Sequence, residues 1–120
     1  MKFYLNPETK QFLILGDNET ADLTGLTEII PNTVDAAREK HVPVISREGV
    51  TVTVTVGSTA HPMQEVHYIE WILLVTSDGM ERKELTPGEE PAAQFYAGED
   101  TEIVAAYAYC NLHGLWEGKE

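Results

Sequence analysis

The sequence is poor in cysteine and in basic side chains. Cys110 is its only cysteine, and eight Lys and Arg are outnumbered by 20 Asp and Glu, which gives the 120 residues a net charge of −12. A single cysteine forms no disulfide within the chain, as is typical of proteins in a reducing compartment. The acidity argues against nucleic acids and anionic membrane surfaces as partners.

Long apolar runs are also missing. No stretch approaches the roughly 18 consecutive apolar residues of a membrane-spanning helix, although 42% of the residues are apolar. The N-terminus shows no apolar segment of the signal-peptide type. We therefore expect a globular protein of the cytoplasm.

The first 35 residues predict a small β-rich unit. Three short apolar runs, Lys2–Leu5, Gln11–Gly16 and Leu26–Ile30, are separated by turn-forming segments. A unit of this size buries too little surface for a core of its own. We expect it to lean on the second domain, residues 36–120.

A short helix is expected where the two parts meet, over Val34–Lys40. Asn32 or Thr33 would cap its N-terminus. Pro43 would end it, because the residue before a proline is driven to an extended conformation.

From residue 42 onward, apolar and polar residues alternate, which predicts an all-β domain. The predicted strands are Val42–Ser46, Gly49–Gly57, His67–Ser77, Met80–Leu85, Ala92–Tyr96 and Thr101–Cys110. Their number and regular spacing are typical of an immunoglobulin-like antiparallel β-sandwich. The alternation places Trp71 in the core, on the same face of its strand as Ile69.

The metal-binding residue types converge if every strand of this sandwich reverses direction. His41 precedes the first strand, His61 and His67 belong to the connection before the third, and Cys110 and His113 follow the last. Alternating directions place all five at the same end. Loops gathered at one end of a rigid sandwich are a common place for a functional site.

Taken singly, these residues have ordinary alternatives, such as a buried free cysteine or a hydrogen-bonded histidine. Together, four imidazoles and one thiol exceed the four ligands that close a structural zinc site. They suit an iron ion that keeps one octahedral position open, and a thiolate ligand would tune its redox behaviour. A blue-copper site is less favoured because no methionine follows His113, and only Met63 lies near a candidate ligand. The pattern indicates a redox iron centre that acts on something small.

Basic residues are concentrated beside His41. Arg38, Lys40 and Arg47 lie within ten positions of one another, where they would attract a small anion to an open metal position. Glu39 would either bind the metal or pair with Arg38 or Lys40.

Three separated segments resemble the superoxide reductase family, also called desulfoferrodoxin or neelaredoxin. They are Glu39–Pro43, His61–Trp71 and Tyr109–Trp116, within a resemblance that spans roughly Pro31–Trp116. The resemblance implies one-electron reduction of superoxide to hydrogen peroxide at one mononuclear non-haem iron that alternates between Fe2+ and Fe3+. A non-catalytic iron protein for electron transfer on the same scaffold is the alternative.

The resemblance also assigns roles to individual residues. The implied ligands are four equatorial histidines and one axial thiolate: His41, His61, His67, His113 and Cys110. Glu39 would bind the ferric ion, and Lys40 would attract superoxide and stabilise the peroxide product as it forms. The implied electron donor is a protein such as rubredoxin, and the implied assembly is a dimer or tetramer of identical chains.

The N-terminal part departs from the two-iron members of that family. Asn6 and Thr9 stand where those members carry a Cys-x-x-Cys pair for a second iron. Residues 1–35 are therefore expected to form a metal-free N-terminal domain, and residues 36–120 the catalytic sandwich.

Overall fold

The computed structural model describes all 120 residues and shows a protein built almost entirely of antiparallel β-sheets. The elements are β1 Lys2–Leu5, β2 Phe12–Leu15, β3 Thr27–Ile29, α1 Arg38–His41, β4 Pro43–Glu48, β5 Thr51–Val56, β6 Ile69–Thr76, β7 Gly79–Glu84, β8 Ala92–Tyr96, β9 Ile103–Cys110 and β10 Gly114–Gly118. The predicted fold class is confirmed. The structure holds no helix that could cross a membrane.

Strands β4 to β10 form a sandwich of two sheets, with strand orders β10-β9-β6-β7 and β4-β5-β8. This is an immunoglobulin-like division of seven strands, except that the fourth strand, β7, pairs with β6 and not with β8. The alternation of β5 buries Val52, Val54 and Val56 completely between the sheets. Each such side chain contributes about 1.5–3 kcal/mol through its burial.

Strands β1 to β3 form a third sheet, of order β2-β1-β3, which packs on the outer face of the β10-β9-β6-β7 sheet. Phe3 lies 4.6 Å from Tyr107 between ring centroids, and Phe12 lies 5.1 Å from Trp71. The N-terminal sheet thus shares a second core with the sandwich, as expected for so small a unit. The domain boundary at residue 35 stays a prediction.

The predicted alternation along β6 holds for Trp71, Leu73 and Val75, but Ile69 does not share their face. Ile69 faces the sandwich core, whereas Trp71 and Leu73 face the second core. The pairing of β6 with β9 shifts register between Ile69 and Trp71, so Glu70 is an extra residue in the strand. A bulge of this kind moves all following side chains to the opposite face. Trp71 is a core residue, but of the second core, where its Nε1 is buried without a hydrogen-bond partner.

The predicted helix is also shorter than expected. It covers only Arg38–His41 and follows Ala37 without a side-chain cap. The two candidate caps are engaged elsewhere. The Asn32 side chain accepts a hydrogen bond from the Glu117 N–H at 2.9 Å, and the Thr33 hydroxyl donates to the Ile30 carbonyl at 2.8 Å.

Strand β10 was not predicted. Two adjacent residues of the strand, Leu115 and Trp116, are both buried, although they point to opposite faces of the sheet. The strand therefore lacks the alternation of apolar and polar residues that would predict it. Gly114 pairs with Cys110, which makes residues 111–113 a tight hairpin turn between β9 and β10. This hairpin brings Cys110 and His113 together.

Candidate metal centre

Four side chains meet at one end of the sandwich. One ligand atom from each of His41, His61, His67 and Cys110 lies within 4.8 Å of all the others. They come from the end of α1, the connection between β5 and β6, and the end of β9. The predicted convergence at one end of the sandwich is therefore present in the structure.

His113 lies at the edge of this group. Its Nδ1 atom is 3.1 Å from Nε2 of His41 and 3.9 Å from Sγ of Cys110. Its ring centroid is 5.1 Å from that of His67. All five sequence-predicted ligands thus lie together, with four of them forming the tightest set.

Two of the histidine rings are oriented by backbone carbonyls. His41 Nδ1 donates to the Ala37 carbonyl at 2.6 Å, and His61 Nδ1 donates to the Pro62 carbonyl at 2.7 Å. These bonds place the proton on Nδ1 and leave a lone pair on Nε2, which in His41 faces Nδ1 of His113. Metal-binding histidines are commonly held in this way.

Two of the ring nitrogen atoms that face the cluster lack protein partners. The protein has three buried side-chain polar atoms without a hydrogen bond, and two of them are Nε2 of His61 and Nε2 of His67. An unsatisfied buried polar atom costs about 1–3 kcal/mol. A cation bound by these lone pairs would remove that cost. Nitrogen and sulfur donors at this spacing fit a transition metal such as iron.

The cluster favours neutral imidazoles. Burial lowers the pKa of His61 to about 4, despite the hydrogen bond to the Pro62 carbonyl, and the neighbouring rings lower it further. Burial likewise lowers the pKa of His41 and of His67. The neutral ring is the form that binds a metal ion.

Cys110 is fully buried, and burial raises the pKa of its thiol. The backbone N–H groups of Leu112 and His113 act in the opposite direction, because they hydrogen bond to the sulfur and stabilise a thiolate. A bound cation would favour the thiolate further, since metal binding displaces the thiol proton.

Trp116 supports two of the five residues, although no role is predicted for its side chain from the sequence. Its ring stacks on His41 with centroids 5.0 Å apart, and its Nε1 donates to the His113 carbonyl at 3.0 Å. The side chain is 1% exposed. The sequence signal for this supporting role is the position of Trp116, three residues after His113 in a short hairpin.

Glu39 and Lys40 lie exposed on α1, next to the cluster. Beyond the larger effect of burial, the Lys40 charge lowers the pKa of His41 and of His67, and the Glu39 charge raises that of His41. Both charges therefore act on the site. Glu39 forms no ion pair with Arg38 or Lys40, since the ion pairs of the structure are Met1 with Asp17 and Arg82 with Glu84.

Gly57 allows α1 to lie against the β5–β6 connection. Its φ is +85°, and a Cβ atom there would lie 2.8 Å from the Glu39 carbonyl oxygen and would clash with the carbonyl oxygen of Thr59. The same Glu39 carbonyl accepts a hydrogen bond from the Thr59 N–H at 2.9 Å. Glycine thus permits the close approach that holds Glu39 and Lys40 beside the histidines.

The predicted basic cluster is wrong for Arg47. Strand β4 leads away from His41, so Arg47 lies near the opposite end of the sandwich. There its guanidinium donates to the carbonyls of Gly49 at 2.9 Å, Gly98 at 2.6 Å and Thr101 at 2.6 Å. Only Arg38 and Lys40 remain on the helix beside the site.

The fold and the cluster together define a β-sandwich protein with a histidine–cysteine site for a transition metal. The sequence model described as desulfoferrodoxin matches residues 33–119. The chain is 41% identical to a desulfoferrodoxin from Clostridium acetobutylicum over 98% of its own length and 94% of that protein. It is 56% identical to a desulfoferrodoxin homolog from Archaeoglobus fulgidus over 71% of its own length and 66% of that protein.

A solved structure resembles the whole chain. The superoxide reductase from Treponema pallidum superposes with a TM-score of 0.84 and 39% identity, over 98% of each chain. A superoxide reductase from Giardia intestinalis, described as a one-iron enzyme, matches 67% of this chain with a TM-score of 0.56. The chain belongs to the desulfoferrodoxin family, which confirms the resemblance found in its sequence.

Proposed function

We propose that this protein is a superoxide reductase, which reduces superoxide to hydrogen peroxide with one electron and two protons. The observation that carries the proposal is the convergence of four imidazoles and one thiol, two of whose imidazole nitrogen atoms are buried without a partner. The names of the related proteins agree with it. One iron ion per chain would supply the electron by alternating between Fe2+ and Fe3+.

In this proposal the five convergent side chains hold the metal. The carbonyls of Ala37 and Pro62 fix the rings of His41 and His61 with Nε2 toward the centre. Cys110 supplies a thiolate whose charge is tempered by two backbone N–H groups. Burial of the sulfur keeps water and other thiols away from it.

Lys40 and Glu39 act at the mouth of the site. In a chain of net charge −12, the Lys40 ammonium supplies a local positive potential for an anionic substrate. The two protons of the reaction would come from solvent. Glu39, its neighbour on the same short helix, is the proposed carboxylate ligand of the oxidised state.

The proposal extends to the partners of the site. A small one-electron donor protein such as rubredoxin would restore the reduced state, and the chain would assemble as a dimer or tetramer in the cytoplasm. The first 35 residues contain neither Cys nor His. We therefore propose that they form a domain without a metal.

The stoichiometry of the reaction tests the proposal. The reduced, iron-loaded protein is mixed with superoxide, and both hydrogen peroxide and dioxygen are measured. A reductase yields one hydrogen peroxide per superoxide and no dioxygen. Half a peroxide with half a dioxygen per superoxide would indicate dismutation. Absence of any reaction would favour the electron-transfer alternative.

A further inference from the structure

His67 differs from the other histidines of the cluster in how its ring is held. Carbonyl groups fix the rings of His41 and His61, and the His113 ring contacts His41, whereas no hydrogen bond orients the ring of His67. His67 also lies two residues before β6 begins, where its backbone pairs only with Gln64, in an isolated β-bridge with two 3.0 Å hydrogen bonds. Its position in the cluster must therefore be set through its backbone.

Asn111 binds the backbone on both sides of His67. The Asn111 side chain accepts a hydrogen bond from the Tyr68 N–H at 3.0 Å and donates one to the Val66 carbonyl at 3.1 Å. The N–H of Asn111 itself donates to the Tyr68 carbonyl at 3.2 Å. One residue thus holds both neighbours of His67 through three bonds.

These bonds continue the sheet past the place where its ladder ends. The last paired residues of β6 and β9 are Ile69 and Cys110, and the ladder is already irregular at the next step because of the bulge at Glu70. Asn111 follows Cys110 directly and lies two residues before His113. Its side-chain amide therefore connects the loop that contains His67 to the β9–β10 hairpin, which carries Cys110 and His113.

We propose that Asn111 is a positioning residue, which sets the location of His67 relative to Cys110 and His113. The inference rests on the proposed function, because it assumes that these three side chains bind one metal ion. The amide group is required since one partner is a donor and the other an acceptor. Removal of a group that orients a metal ligand typically lowers metal affinity by about 10- to 100-fold.

The test is a titration of the full-length, metal-free protein with Co2+, followed by absorption spectroscopy. Asn111→Ala should weaken Co2+ binding by about 10- to 100-fold and shift the bands of the bound ion. Asn111→Asp keeps the acceptor for the Tyr68 N–H but loses the donor to the Val66 carbonyl. Its affinity should lie between those of Asn111→Ala and the wild type, which also provides a readout if Asn111→Ala fails to fold.

Asn32→Ala is the matched control. The Asn32 amide also makes one accepting and one donating bond to backbone, both to Glu117 of β10, at 2.9 and 3.3 Å. Its removal should lower the thermal midpoint of the metal-free protein and leave the Co2+ affinity and spectrum unchanged.

The positioning role of Asn111 and the metal site itself can fail separately. Wild-type Co2+ affinity and bands in both Asn111 variants, or equal changes in Asn111→Ala and Asn32→Ala, would overturn the positioning role and leave the proposed function standing. A wild-type protein that binds Co2+ without a thiolate band would overturn the metal site and, with it, the role of Asn111.

Discussion

Both ends of the β-sandwich carry buried or partly buried polar groups, but the two ends differ in whether those groups find hydrogen-bond partners within the protein. At one end, the Arg47 guanidinium donates to four backbone carbonyls, which belong to the β4–β5 and β8–β9 connections. At the other end, His61 and His67 bring Nε2 atoms into a buried cluster where neither finds a protein partner.

This difference separates a structural site from a binding site. The Arg47 interactions are complete within the chain, so they stabilise the fold and leave nothing for a ligand. The histidine end is incomplete within the chain, and its donors are those of a transition-metal site. The same contrast explains why the positive charge beside the site comes from α1 and not from Arg47.

The largest expected effect comes from removing the sulfur at the histidine end. Cys110→Ser should abolish the thiolate-to-iron absorption of the oxidised, iron-loaded protein, because an alkoxide or hydroxyl does not give that transition. The spectrum is recorded after full oxidation and after iron analysis of the variant. A band that persists at wild-type intensity would show that Cys110 is not a ligand.

Arg47→Ala should produce the opposite pattern. Loss of the charge-assisted hydrogen bonds at the far end should lower the free energy of unfolding by about 2 kcal/mol. The absorption spectrum of the iron-loaded variant should match the wild type. Urea unfolding of the variant and the wild type measures the change in the free energy of unfolding. An altered spectrum would mean that the two ends are coupled, which would weaken the comparison.

Lys40→Ala should slow the reaction with superoxide on the order of tenfold, because the anion loses the positive potential at the mouth of the site. The rate should also become less sensitive to ionic strength. Arg38→Ala is the matched control, since it removes a cation from the same helix at a position further from His41. Equal rates for Lys40→Ala and the wild type would show that Lys40 is an ordinary surface residue without a role in attracting superoxide.

The smallest expected effect on rate belongs to Glu39→Ala. If the Glu39 carboxylate binds only the oxidised state, its loss should change the oxidised spectrum and spare the rate of superoxide reduction. Rapid-mixing kinetics and the oxidised spectrum are compared in the same preparation. A large loss of rate would instead indicate that Glu39 transfers a proton to the substrate.

Much of this arrangement was predictable from the sequence, because strands alternate with period two and antiparallel connections reverse direction. The alternation of β5 predicted its buried valines, and the reversal of strands predicted that His41, His61, His67 and the Cys110 hairpin share one end. These features depend on local pattern and on chain direction alone.

The remainder depended on contacts that no local pattern encodes. The bulge at Glu70 is a register shift between β6 and β9, and it places Trp71 on the face of the sheet opposite to that of Ile69. Strand β10 is buried on both faces, so it lacks the alternation of a half-buried strand. Asn32 was a sound candidate for a helix cap, but its amide binds β10, which is 85 residues away in sequence.

Metal analysis of the freshly isolated protein, combined with its absorption spectrum before and after oxidation, decides whether the histidine–cysteine cluster holds a redox iron. We predict about one iron ion per chain and a thiolate-to-iron band that grows on oxidation. Zinc at full occupancy without iron, and no such band after oxidation, would contradict the assignment of the histidine–cysteine cluster as a redox iron centre.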